Sequence, residues 1–256
     1  MIKNYFLRFI RKISFFHYYK LVAKSQNKNR EAIELFKISK TTNINKTFIE
    51  IGFHPNELNT NIFLRNNFRG LFIDGNEKIC ENMNWIIDKL KVDSKAINHF
   101  LSLKNMQPIF KFLDSLKEDL GVLSLDIDGN DYWILKKIIT FHQPQLICVE
   151  YNASFGVRNI STPYEENFNR HEKHNSGLYH GASITAFHAL LKDNYDLIMN
   201  IEGLNLLFLR KDKNSKMNSL DPVEAYKEST LRNFWSKTNA DEQWGVIKNL
   251  KYEILK

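Results

Sequence analysis

Four places in this 256-residue chain bring acidic side chains to the end of a short apolar run, where acids can do chemistry. Glu50 and Gly52 close TFIEI, and Asp74 closes GLFID. Asp126 and Asp128, with Asp131 beyond them, end GVLSLDI, and Glu150 with Asn152 ends QLICVEY. A carboxylate buried without a partner is expensive, so one shared cleft explains the four sites more economically than four separate structural roles. Asp74 stands 22 positions after Gly52. An acid about 20 residues beyond a first-strand glycine is the usual device for holding ribose hydroxyls. The plain alternative is a turn-forming Asp before Gly75. The nucleoside reading makes Glu50, Gly52, Phe53, His54, Asp74, Gly75, Asn76 and Asp126 the candidate cofactor-binding residues.

After Gly52 the chain continues Phe53-His54-Pro55-Asn56, with no further glycine to let the backbone close on a pyrophosphate. Glu57 would also repel phosphates at a helix N-terminus. A nucleoside without phosphates fits better, and S-adenosylmethionine, which carries a cationic sulfonium, is the evident candidate. Methyl transfer to a hydroxyl is an in-line displacement governed by placement, and the hydroxyl proton needs a base or a metal. Asp126, Asp128, Asp131, Glu150 and His180 are the catalytic candidates. Asp126 and Asp128 share one face of a strand end, and with Asn152 they offer three oxygen ligands suited to Mg²⁺. Helix capping by Asp128 or Asn130 is the structural alternative for part of this cluster.

Strands are expected at 47–51, 70–74, 95–100, 121–127, 145–151, 196–201 and 205–210. Helices are expected at 58–65, 77–90, 109–116, 132–139 and 182–191. Continuous apolar strands alternating with helices predict an α/β protein with a mostly parallel sheet covered on both faces. The last two strands form an antiparallel hairpin across Glu202-Gly203. The long polar stretch 154–181 leaves the fifth strand and is expected to be a substrate lid. Tyr164, Phe168 and Tyr179 could stack on a sugar there, and Arg158 or Arg170 could pair with an acidic group. Three regions are expected: a basic helical arm (1–45), a Rossmann-like domain (46–211) and a helical extension (212–256) with helices at 222–237 and 241–250, laid over the domain surface.

Lys+Arg 36 against Asp+Glu 29 gives a net charge of +7, yet residues 1–30 hold eight of the bases and no acid. The remainder is close to neutral, which argues against nucleic acid as a partner. Within the arm, Ile2, Tyr5, Phe6, Phe9, Ile13 and Phe16 recur at helical spacing among the bases. Such a helix at 1–24 could lie on an anionic membrane surface, or pack on the domain or on a second copy in a homo-oligomer. It does not read as a secretory signal. No stretch reaches the roughly 18 apolar residues of a membrane span. Cys80 and Cys148 are far apart, which excludes a zinc spacing or a disulfide framework and suits a reducing compartment. The expected location is cytoplasmic or peripheral to the inner face of a membrane.

The run VLSLDIDGNDYWIL (122–135), followed by ICVEYN (147–152), resembles the FkbM-like S-adenosylmethionine-dependent methyltransferases, whose fourth strand ends in Asp-x-Glu-Gly-x-Glu and whose fifth carries a Glu. Asp126, Asp128, Gly129 and Asp131 stand in those places with Asp for Glu twice, and Glu150 supplies the last. Glu50-Ile51-Gly52, Asp74, Asn194-Tyr195 and Leu206-Leu207-Phe208 fit the same pattern across 46–211. The resemblance implies a class I methyltransferase fold. It also implies an O-methyltransferase acting on sugars or other small hydroxylated metabolites. Two other readings stand beside it: a metal-dependent glycosyltransferase using Asp126-Ile127-Asp128 as a DxD motif, and a non-catalytic scaffold.

Overall fold

Alternation of β-branched and aromatic residues with amphipathic stretches organises residues 29–55 and 57–255, which the computed structural model describes. The strands are β1 (Thr47–Ile51), β2 (Arg69–Asp74), β3 (Ser94–Asn98), β4 (Val122–Leu125), β5 (Leu146–Glu150), β6 (Ile160–Ser161), β7 (Tyr195–Ile201), β8 (Asn205–Arg210) and β9 (Glu253–Ile254). The helices are α1 (Arg30–Thr41), α2 (Asn61–Leu64), α3 (Glu77–Leu90), α4 (Gln107–Asp114), α5 (Asp131–Phe141), α6 (Arg170–Lys173), α7 (Ile184–Leu191), α8 (Thr230–Ser236) and α9 (Ala240–Ile247).

Seven strands form one sheet in the order β3-β2-β1-β4-β5-β8-β7. The first five run parallel, and β8 runs antiparallel to both β5 and β7. Side-chain alternation splits the core. Ile49, Ile73, Leu125 and Ile147 meet α4, α5 and α7 on one face, while Phe48, Phe72, Val122 and Cys148 meet α1 and α3 on the other. This is the expected mostly parallel, Rossmann-like seven-stranded sheet closed by an antiparallel hairpin. Strand order reverses between β1 and β4, where such sheets open a crevice beyond their carboxyl ends.

Gly52 sits at that seam with φ +73°, and a Cβ there would stand 1.6 Å from the carbonyl oxygen of Asp126. The glycine therefore lets the ends of β1 and β4 touch, a requirement on backbone packing that exists whatever the crevice binds.

Three expectations about the chain's organisation change. Leu35 and Ile38 of α1 are fully buried in the core, so residues 30–45 belong to the domain rather than to the arm. The helix expected at 58–65 contracts to α2, because the preceding loop is tied down at Asn59 and Thr60. The extension is tied into the domain. β9 pairs antiparallel with β6 inside the stretch expected to be a lid, and Phe155, Ile160 and Tyr179 pack with Ile247 in a separate small core. The expected helix at 222–237 begins only at α8, where the Ser229 side chain accepts from the Arg232 N–H. The helix expected at 1–24 lies outside the described residues. Among those described, no helix is long and apolar enough to cross a membrane.

Candidate active site

A cleft of about 770 Å³ opens over the carboxyl ends of β1, β2, β4 and β5. All the candidate cofactor residues reach it: Glu50, Gly52, Phe53, His54, Asp74, Gly75, Asn76 and Asp126. They do so in different ways. The Glu50 carboxylate is committed to the loop above it, accepting from the N–H groups of Asn59 (2.8 Å) and Thr60 (3.0 Å) and from the Thr60 hydroxyl. Burial pushes its pKa up to about 7 despite those donors. The Phe53 ring is buried against Phe72, so this residue reaches the cleft through its backbone. Asn76 caps α3 by accepting from the Ile79 N–H, which makes its main role structural.

Asp74 combines both readings made from the sequence. Its Oδ1 accepts from the Asn76 N–H at 2.7 Å, which is the turn role, yet its side chain also faces the cleft. Partial burial raises its pKa, opposed by the Asn76 N–H and then by nearby His54. Phe100, 55% exposed, crosses close to Gly75, where a Cβ would stand 3.2 Å from the ring. An exposed ring beside an acid suits a base stacked next to a ribose.

At the other end, Asp126 and Glu150 are neighbouring buried carboxyl groups whose charges act on each other. Burial, and then the charge of Glu150, hold the Asp126 pKa well above the usual range. Burial raises Glu150 as well, with Arg232 opposing it. Two neighbouring buried carboxyls do not both ionise cheaply, which is why both pKa values rise.

Asp131 does not join this pair. It is buried, and its two oxygens accept from the N–H groups of Ile127 (2.8 Å) and Gly129 (2.9 Å). It thereby holds the turn in which Asp128 takes φ +55°, and it positions the loop rather than acting on a ligand.

Two arginines complete the cluster. Arg170 of α6 pairs with Asp128. Arg232 of α8 donates to Glu150 Oε1 (3.2 Å) and Asn152 Oδ1 (2.9 Å), and its Nη2 lies 3.2 Å from His180 Nε2. His180 is buried, with Nδ1 3.1 Å from the Gly177 carbonyl. Burial and the neighbouring guanidinium of Arg232 lower its pKa and keep it neutral. Nδ1–H therefore donates to that carbonyl, and Nε2 presents its lone pair to Arg232, 3.9 Å from Glu150 Oε2. His180 stands behind Glu150 and does not line the cleft.

The expected Mg²⁺ ligand set does not assemble. Asn152 is fully buried and committed, accepting from the Ser154 N–H and Arg232 while donating to the carbonyls of Leu178 (2.7 Å) and His180 (2.9 Å). Burial and the charge of Glu150 hold the Asp126 pKa well above the usual range, which disfavours the ionised form a metal ligand needs. Ligand atoms of Asp128, Glu150 and His180 do lie within 4.8 Å of one another. Arg170 and Arg232 already aim their guanidinium groups at these same atoms, so the donor set fits two fixed cations and does not fit a divalent ion.

The lid residues also sort themselves. Arg170 reaches the cluster, while Arg158 stacks on Trp244 at 4.3 Å. Tyr179 is buried and donates to the Lys251 carbonyl, so its ring is not free to stack on a sugar, while Tyr164 accepts from the Leu103 N–H and lies outside the cleft lining. Phe168 does line the cleft. Arg232 went unread in the sequence, where it sits in an unremarkable polar tail. The only signal was indirect: clustered strand-end acids with no base beside them need a counter-ion from elsewhere.

No protein-family model matches the chain, and no curated protein matches it. Among solved structures it is similar to the S-adenosylhomocysteine-bound methyltransferase PaMTH1 of Podospora anserina, at 13% identity over 82% of this chain and 96% of that one, with a TM-score of 0.47. It is also similar to the O-methyltransferase TomG of Streptomyces achromogenes in complex with S-adenosylmethionine, at 10% identity over 77% and 88%, with a TM-score of 0.46. Likeness at this level assigns neither residue roles nor a substrate.

Proposed function

We propose that this chain is an S-adenosylmethionine-dependent O-methyltransferase, FkbM-like in kind, acting on a hydroxyl of a small or glycan-linked acceptor. One observation carries the reading. Among the described residues the cleft is lined by seven carboxylates (Glu31, Glu50, Glu57, Asp74, Asp126, Asp128 and Glu150), two histidines and no lysine or arginine. Such a lining favours a nucleoside bearing positive charge. It disfavours a nucleotide sugar, whose diphosphate would lie among acids, and so weakens the DxD glycosyltransferase alternative.

Asp74 would hold the ribose, with Phe100 and Gly75 flanking the base and the Gly52–Asp126 seam beneath the charged end. When bound, the cofactor supplies an electrophilic methyl group on its sulfonium. The protein's own residues manage the acceptor proton. Glu150 faces the cleft, and its ionised carboxylate accepts the hydroxyl proton. Arg232 stabilises the ionised form of Glu150, and neutral His180 fixes Arg232 from behind. A base whose pKa lies near the working pH is the effective kind.

Calorimetric titration tests the reading. S-adenosylmethionine and S-adenosylhomocysteine should bind with Kd on the order of micromolar. Asp74→Ala should weaken both about tenfold or more through loss of a charged hydrogen bond. Absence of binding by either ligand to the unaltered chain would overturn it.

A further inference from the structure

Helix α8 is built inside out. Amphipathic helices ordinarily turn their apolar stripe to the core. Here the inward residues are polar: Arg232 enters the carboxylate cluster, and Asn233 bonds Glu228 (2.7 Å) and Gln243 (2.8 Å). The apolar residues Leu231, Phe234 and Trp235, spaced i, i+3, i+4, face outward at 50%, 73% and 74% exposure. The rings of Phe234 and Trp235 support each other edge to face, with centroids 5.5 Å apart.

The place of this face narrows what can cover it. Leu231 belongs to the cleft lining, as do Asn29 and Glu31 at the start of α1. Arg30 pairs with Glu202 in the β7–β8 turn at 2.9 Å, and Gly203 of that turn lies against the backbone of Glu228 and Ser229, immediately before α8. The chain therefore enters the domain on the same rim that carries the aromatic face. The 28 residues leading to that point hold seven bases and no acid. Three side chains of this size offer on the order of 400 Å², about half of the ~800 Å² per partner that a stable protein interface uses. A small aromatic face in a chain whose first 28 residues concentrate positive charge suits a lipid surface better than a second copy, because Trp and Phe settle in the headgroup layer while bases meet anionic lipid.

We propose that this rim docks on an anionic membrane surface, with Phe234 and Trp235 entering the interface. The inference does not rest on methyl transfer. Neither ring touches the cluster, so substituting them leaves the cleft intact.

Flotation of the full chain with phosphatidylcholine vesicles, with and without phosphatidylglycerol, tests it. Binding should require the anionic lipid, and Phe234→Ser/Trp235→Ser should lower the partition coefficient about tenfold or more. Brominated lipid should quench Trp fluorescence in the unaltered chain, and the quenching should be largely lost in Trp235→Phe. Unchanged partitioning of the double variant would overturn the proposal and leave the basic segment to act alone. A dimer in sedimentation that the double variant dissociates, with no vesicle binding, would overturn it in favour of a contact between copies. Titration with S-adenosylmethionine on the same samples keeps failure of this proposal separate from failure of the catalytic one.

Discussion

At the β1–β2 wall of the cleft, Glu50 and Asp74 are held by backbone N–H groups from residues two to ten positions away. At the β4–β5 wall, Asp128 and Glu150 are held by Arg170 and Arg232, 42 and 82 positions away. The first arrangement fixes carboxylates with neutral donors and brings no arginine onto them, which suits a site that receives a cation. The second neutralises charge and tunes how many protons the group holds, which suits a site meant to move one. One cleft thus uses the same residue type for attraction at one end and for proton management at the other.

Substitution at the second wall gives the largest expected effect. Glu150→Gln keeps the shape but removes the proton acceptor, and kcat should fall about 10²–10⁴-fold. Steady-state kinetics beside calorimetry should show cofactor affinity almost unchanged. A parallel loss of cofactor binding would mean the two walls are not separate in function.

Arg232→Ala comes next, because it leaves a buried carboxylate without its cation, a loss on the order of 3 kcal/mol. Arg232 lowers the Glu150 pKa, so without it the carboxyl holds its proton to higher pH. Below that pH the group is neutral and little is lost, and above it the bare charge is buried. Denaturant midpoints should show the variant more destabilised at pH 8 than at pH 6. A pH-independent loss would make Arg232 a packing residue only.

The smallest effect belongs to the first wall. Glu50 has its pKa raised from 4.5 to about 7 by burial. The folded state therefore binds a proton that the unfolded state has released between those values, and the stability this contributes declines as pH rises through about 7. Glu50→Gln should flatten that decline while costing about 1 kcal/mol at pH 5 through a weakened clamp on Asn59 and Thr60. Thermal melts from pH 5 to pH 8 measure both.

The difference between the walls also explains what could be read from residues alone. Strand positions, the hairpin and the strand-end acids follow from apolar periodicity and short-range spacing, and the Gly52–Asp74 interval pointed to the first wall. The second wall was readable only as an excess of acid. Its counter-ions come from a four-residue helix too short for periodicity to announce and from the end of the helix expected at 222–237, both set in stretches whose polarity suggested solvent. Asn152 misled for a related reason: an amide after a strand offers the same oxygen to a metal or to an arginine, and only tertiary packing decides. Asp131 likewise has the composition of a catalytic acid and the hydrogen bonds of a loop clamp.

The pairing of β9 with β6 and the reach of Arg232 back to Glu150 have a consequence for how the molecule is made. Synthesis runs from the amino terminus, so the wall ending at Asp74 exists long before the segment that neutralises its neighbour. A chain interrupted in the polar stretch after Lys211 would hold every acid of the cleft and lack Arg232. Its defect would appear first as poor survival in the cell, and a missing product would be the later symptom.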